Sequence, residues 1–200
     1  DTLTQDGSGA GAGVQWKGEG DADAIRVRAS GAGSVTVGSG GDANDAIDVG
    51  FGANSLDGIG GAIRMDGDAN LASPTSGLSV NCEGKVTNTL ASGDLMTIHD
   101  EFDGDVNTYM LSGALLTRGT IKIDYGTIET LNMNAGTGKD TINVMTTADS
   151  VNTNIATTDG GDTVNVTTTG LASNVRILGD TKANETKLTS TGARSEEHTS

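Results

Sequence analysis

Short runs in which apolar and polar residues alternate recur along the chain, each entered through an acidic, glycine-rich turn. DAIRV begins at Asp23 and DAIDV at Asp45, while DTINV begins at Asp140 and DTVNV at Asp162. Successive side chains of a strand point to opposite faces. Ile25 and Val27 therefore share one face, and Ala24 and Arg26 the other. Ile47 with Val49, Ile142 with Val144, and Val164 with Val166 repeat the arrangement, so these eight residues are predicted to point inward. No segment sustains an i, i+3, i+4 apolar pattern, and glycine and threonine are poor helix formers. The pattern predicts an all-β protein.

The spacing of the runs is regular. DTLTQ begins at Asp1, so the first three copies are separated by 23 − 1 = 22 and 45 − 23 = 22 residues. Asp140 and Asp162 are again 22 apart, and a further step reaches Asn184, where NETKL reads as a worn copy. A unit of two short strands cannot bury its own apolar row and must stack on its neighbours. An antiparallel sandwich also yields short alternating strands, but the fixed step favours a right-handed parallel β-solenoid, or β-roll-like stack, with about 22 residues per coil. Residues 50–130 depart from the period. There Leu56, Ile59, Ile63 and Met65, then Ile121, Ile123, Ile128, Leu131 and Met133, predict longer coils with enlarged loops. HDEFDGD at 99–105 reads as a solvated acidic loop, with a sub-boundary conceivable near 91–105.

Composition sharpens this picture. Glycine makes up 31 of the 200 residues and proline only one, which fits tight turns between strands better than a linker. The formal charge of −15 repels phosphate backbones and anionic lipid, so nucleic acid is not an expected partner. No apolar run approaches the ~20 residues of a membrane helix. Cys82 is the single cysteine and reads as a small buried residue. Residues 194–200, RSEEHTS, abandon the Gly/Thr/Val texture and resemble a translated sequencing adapter. They are set aside as non-native, leaving 1–193 as one solenoid segment of a longer protein.

Stacking would place equivalent aspartates about 4.8 Å apart. Two carboxylates at that distance repel by roughly 0.9 kcal/mol in bulk water, and by more where water is partly excluded. Two readings follow for Asp23, Asp45, Asp140 and Asp162. Each caps its own turn by accepting backbone N–H groups, or a calcium ion bridges carboxylates and turn carbonyls in an all-oxygen shell.

AGTGKDTIN at 135–143 resembles the calcium-binding nonapeptide of RTX, or hemolysin-type, repeats, with Gly136, Gly138, Asp140 and Ile142 on its pattern. TTDGGDTVN keeps Gly160, Asp162 and Val164, and the turns at Asp23 and Asp45 are similar with one extra residue. More broadly, residues 106–144 and the SLDGIGGAIRMDG stretch at 55–67 resemble the β-strand-repeat segments of very large bacterial secreted or surface proteins. That resemblance implies a secreted or cell-surface location, a structural or adhesive role, calcium as a ligand, and surface glycans as candidate partners.

Enzymatic readings find little support. With the tail removed, His99 is the sole histidine, too few for a zinc cluster or a histidine-based triad. GTGKDT lacks the first glycine of a phosphate loop and carries Asp140 where a hydroxyl must meet magnesium. Asp103 and Asp105 supply the carboxylates that glycoside cleavage needs, but five scattered aromatics do not build a sugar-binding groove. The chain is therefore expected to be a non-enzymatic stalk or spacer. A calcium-dependent binding module, and then a polysaccharide-active β-helix enzyme, are the alternatives.

Overall fold

The computed structural model describes residues 1–68, 77–81, 93–179, 187–190 and 195–196. The alternating stretches all become strands. β1 (Thr2–Gln5), β2 (Gly13–Lys17), β3 (Ala24–Val27), β4 (Val35–Ser39), β5 (Ala46–Val49) and β6 (Ala62–Asp66) come first. β7 (Gly77–Asn81), β8 (Leu95–His99), β9 (Thr108–Gly113), β10 (Leu115–Arg118), β11 (Ile121–Gly126) and β12 (Thr130–Asn134) follow. The last six are β13 (Thr141–Thr147), β14 (Asn152–Ala156), β15 (Thr163–Val166), β16 (Asn174–Leu178), β17 (Lys187–Ser190) and β18 (Ser195–Glu196). Among the described residues the only helical element is a 3-10 turn at Leu56–Gly58, capped by the Ser55 hydroxyl, which accepts the Asp57 N–H.

The strands form two nine-stranded sheets. The first has the order β1-β3-β5-β8-β12-β14-β16-β7-β18 and is parallel at every pairing. The second has the order β17-β15-β13-β9-β10-β11-β6-β4-β2 and is parallel except at β10, which runs antiparallel to both neighbours. Consecutive strands lie in opposite sheets from β1 to β7 and again from β11 to β18. Parallel neighbours require a crossover, and here the opposite sheet supplies it.

The register reproduces the sequence period. Thr2 pairs with Ala24 and Ala24 with Ala46, steps of 24 − 2 = 22 and 46 − 24 = 22. Gly13↔Val35, Thr130↔Asn152↔Asn174 and Thr141↔Thr163 keep the same step. Insertions stretch it to 95 − 46 = 49 at Ala46↔Leu95 and 130 − 95 = 35 at Leu95↔Thr130. At the C-terminal end Thr163 pairs with Lys187, a step of 24. Asn184, Cys82 and most of the 194–200 tail lie outside the described residues.

One enlargement is built as strands rather than as a loop. β9, β10 and β11 form a meander inserted between β13 and β6. Its two reversals fall at Gly113 (φ 60°) and Gly119 (φ 57°), left-handed conformations that a residue without Cβ adopts at little cost. Tyr109, Leu111, Leu116, Ile123 and Tyr125 face inward from it and are buried.

The core lies between the sheets. All eight residues predicted to face inward are buried, as are Leu56, Ile59, Ile63, Met65, Ile128, Leu131 and Met133. The β3, β5 and β15 strands show the alternation of inner and outer positions directly. Some inner positions are polar. Thr36 donates to Gln5 Oε1 at 3.1 Å, whereas the Thr153 hydroxyl is buried without a hydrogen-bond partner.

Candidate functional site

The turn carboxylates form two columns, one on each sheet. Asp1, Asp23, Asp45, Asp94 and Glu129 stand immediately before β1, β3, β5, β8 and β12 of the first sheet. Asn107, Asp140 and Asp162 stand before β9, β13 and β15 of the second. Asp23 and Asp45 thus belong to one column, and Asp140 and Asp162 to the other.

Within each column the hydrogen bonds run from one coil to the next. The Asp1 amine donates to Asp23 Oδ1 at 2.6 Å, the Asp23 N–H to Asp45 Oδ1 at 2.7 Å, and the Asp45 N–H to Asp94 Oδ1 at 2.7 Å. The Asp94 N–H then donates to Glu129 Oε2 at 2.6 Å. On the other sheet the Asn107 N–H donates to Asp140 Oδ1 at 2.8 Å, and the Asp140 N–H to Asp162 Oδ1 at 2.7 Å. The carboxylates do cap turns, but each of these bonds caps the turn before the neighbouring strand of the same sheet rather than its own. A hydrogen bond to a charged acceptor contributes about 1.5–3 kcal/mol, so every copy ties two coils together.

Glycines make room for this. A Cβ at Gly18, Gly40, Gly67 or Gly93 would overlap a carboxylate oxygen of Asp23, Asp45, Asp94 or Glu129 respectively. Gly18, Gly40 and Gly67 each stand just after the strand that precedes the turn, β2, β4 and β6, so a glycine there is part of the motif for steric reasons.

Burial sets the electrostatics. Asp45 and Asp140 are each 1% exposed, and each keeps one carboxylate oxygen, Oδ2, without a hydrogen bond. Asp140 is pushed up to about 6, chiefly by burial. The Asn107 N–H offsets part of that, and the charges of Asp100 and Asp103 add to it. The Gly136 N–H gives weak relief only, because its hydrogen bond goes to the Tyr109 hydroxyl at 3.3 Å. Burial likewise raises Asp45, against the Asp23 N–H and with the Asp23 and Asp68 charges, and it raises Glu129.

A second cluster corrects the reading of 99–105 as a solvated loop. Asp100 is fully buried and Asp103 is 5% exposed. Asp100 accepts the Leu56 N–H at 2.7 Å and the Tyr109 hydroxyl at 2.7 Å, and it pairs with the Arg118 guanidinium. Asp103 accepts the Asp105 N–H and Asn107 Nδ2, both at 2.9 Å, and lies 2.9 Å from Arg118 Nη1. Arg118 reaches Asp57 as well. Burial alone would make these carboxylates costly, and a planar guanidinium with several donors is suited to neutralising them together. Asp105, by contrast, is exposed.

His99 lies on the outer face of β8, with Nδ1 at 3.1 Å from Glu101 and Nε2 at 3.5 Å from Asp48. Those two carboxylates raise it to about 9, so it is a cation at neutral pH rather than a proton acceptor. A shallow open groove of about 330 Å³ on the second sheet is lined by Val37, Gly38, Arg64, Met65, Asp66, Asp124, Tyr125 and Gly126. Among the described residues no group of three or more His, Cys, Asp and Glu side chains is arranged to hold a metal ion. No helix there is long and apolar enough to cross a membrane.

No family model, curated protein or solved structure matches the chain.

Proposed function

We propose that this chain is a load-bearing segment of a parallel β-solenoid: a stalk or spacer in a large exported bacterial protein, with an adhesive role at the cell surface. The observation that carries the reading is the coil-to-coil relay of backbone N–H groups into turn carboxylates, superposed on in-register parallel pairing. Such a stack is held mainly by nearest-neighbour contacts along one axis, and each coil is joined to the next on both sheets. Of Asp103 and Asp105, the two carboxylates the sequence offers for glycoside cleavage, Asp103 is committed to Arg118 and Asn107.

Pulling the chain by its ends in a force spectrometer tests the reading. Coils should come away in steps of about 75 Å, which is 22 residues at ~3.4 Å each, or small multiples of that. Release in one event at negligible force would refute the stalk.

A calcium-dependent binding module is the second reading. It is favoured by the unbonded, buried Oδ2 atoms of Asp45 and Asp140, since hard cations take such oxygens. Circular dichroism melts in millimolar calcium and in chelator separate the two. An unchanged midpoint removes the calcium module and leaves the stalk standing.

A further inference from the structure

We propose that the groove beside Arg64 and Asp124 is a docking site for the Phe102 side chain of a second copy of this chain. The first sheet shows the same arrangement already filled. Arg26 and Asp48 face each other across β3 and β5, with Nε 3.6 Å from Oδ2, and Phe51 covers the guanidinium, whose carbon lies 4.6 Å from the ring centre. Arg64 and Asp124 repeat that pair across β6 and β11 of the second sheet, again at 3.6 Å. What the second pair lacks is the ring. Phe51 follows Asp48 by 51 − 48 = 3 residues, whereas Thr127 stands 127 − 124 = 3 residues after Asp124. Gly126 adds no side chain either, and the groove of about 330 Å³ opens there. The uncovered side chains are 67% and 44% exposed against 35% and 22% for the covered pair, so a ring has room to reach them.

A guanidinium is drawn to the face of an aromatic ring by the ring's quadrupole, and Val37 adds apolar contact at the groove. The chain carries the matching knob. Of its five aromatic residues only Phe102 is exposed, at 73%. Its segment is held firmly. The Phe102 N–H donates to the Asn54 carbonyl and the Asp103 N–H to the Asp100 carbonyl, both at 2.9 Å, while Arg118 clamps the Asp100 and Asp103 side chains. A ring presented on a rigid turn loses little freedom on docking. Asp105, exposed on the same segment, gives the knob a negative rim that suits Arg64. Knob and groove are different surfaces of one chain, so the contact is heterologous and links copies into open strings rather than closed pairs. One ring and its rim make a small interface of the transient kind. The inference goes beyond the load-bearing reading and stands whether or not the stack bears force.

Sedimentation equilibrium of the intact chain, from micromolar to millimolar concentration, tests the contact. The salt is held at about 0.15 M, where repulsion between acidic copies is screened beyond about 8 Å. The parent's average mass should rise with concentration. Phe102→Ser and Arg64→Ser, both at exposed positions, should each lower the association constant about tenfold or more. Gly126→Leu should do the same by filling the groove, since an added Cβ there meets only Asp66, at 3.9 Å. If a melt followed by circular dichroism shows Arg64→Ser destabilised, Gly126→Leu is read in its place. Mixing the Phe102→Ser and Arg64→Ser chains leaves one working knob and one working groove, so the mixture should form pairs and nothing longer. A parent that stays monomeric at millimolar concentration overturns the proposal. So does self-association of either single variant at the parent's level, or an equimolar mixture that stays monomeric.

Discussion

Replacing Asp140 by Asn isolates the electrostatic cost of a column. Asp140 keeps Oδ1 on the Asn107 N–H, while its buried Oδ2 makes no hydrogen bond. Its carboxyl moves from 3.8 to about 6 on folding. Because the folded value is the higher one, the folded state binds more protons between those limits. The group's contribution is therefore most favourable below pH 3.8, declines as pH rises, and is lost above about 6. At 1.36 kcal/mol per pH unit, the interval from 3.8 to about 6 corresponds to about 3 kcal/mol. Asn is nearly isosteric and can keep the acceptor, but it does not titrate. Its amide donor adds a fixed cost of about 1–3 kcal/mol if unsatisfied, and that cost does not vary with pH. Urea unfolding of parent and Asp140→Asn, followed by circular dichroism in chelator from pH 3.5 to 7.5, reads the difference directly. The variant should gain on the parent by about 3 kcal/mol across that range. A flat difference, or one of opposite sign, would refute the account of Asp140 as a desolvated carboxylate. Adding millimolar calcium extends the experiment: a parent stabilised by the ion and a variant left unmoved would point to the binding-module reading.

Three other outcomes are expected. Thr153→Val should raise stability by about 1 kcal/mol in a chemical denaturation series, because it removes a buried hydroxyl with no partner at nearly constant volume. Arg118→Met should cost about 3–5 kcal/mol by the same measurement, since it strands Asp100 and Asp103 as buried, unpaired carboxylates. His99 is raised from 6.5 to about 9, so its stabilising contribution is fully present below pH 6.5 and lost as pH rises through 9. The stability difference between parent and His99→Gln should accordingly shrink between pH 7 and pH 10, and a difference that grows there would contradict the pairing with Asp48 and Glu101.

The alternation of apolar residues made the inner faces legible, because a strand leaves each side chain only two directions. The 22-residue step likewise located Asp23, Asp45, Asp140 and Asp162 in stacked pairs. What periodicity could not supply was phase. Each period holds two turns, and the insertions between residues 50 and 130 break the count, so the step alone does not tell which turn the later pair occupies; it falls on the opposite sheet. Asp94 and Glu129 escaped notice because insertions change the step and a glutamate stands in for aspartate at the last position. The period itself still pointed there, since Val151 precedes β14 and lies 22 residues after Glu129. The Arg118 cluster left no signal at all. Asp57, Asp100 with Asp103, Tyr109 and Arg118 itself come from four segments, and only the folding back of the β9–β11 meander assembles them. Residues around 99–105 read as hydrophilic surface because composition does not reveal a counter-ion supplied from elsewhere in the chain.

The coil-to-coil relay has a direction. Each regular unit offers one backbone donor toward the following unit and one carboxylate toward the preceding one, so both ends of any whole unit are complementary to every other. Cutting one out, or copying one in, leaves flanking groups that match without further change. Under the stalk reading proposed above, a gene encoding such a chain can grow or shrink by whole-unit duplication and loss, and the length of the product becomes an inherited variable that evolves independently of its sequence.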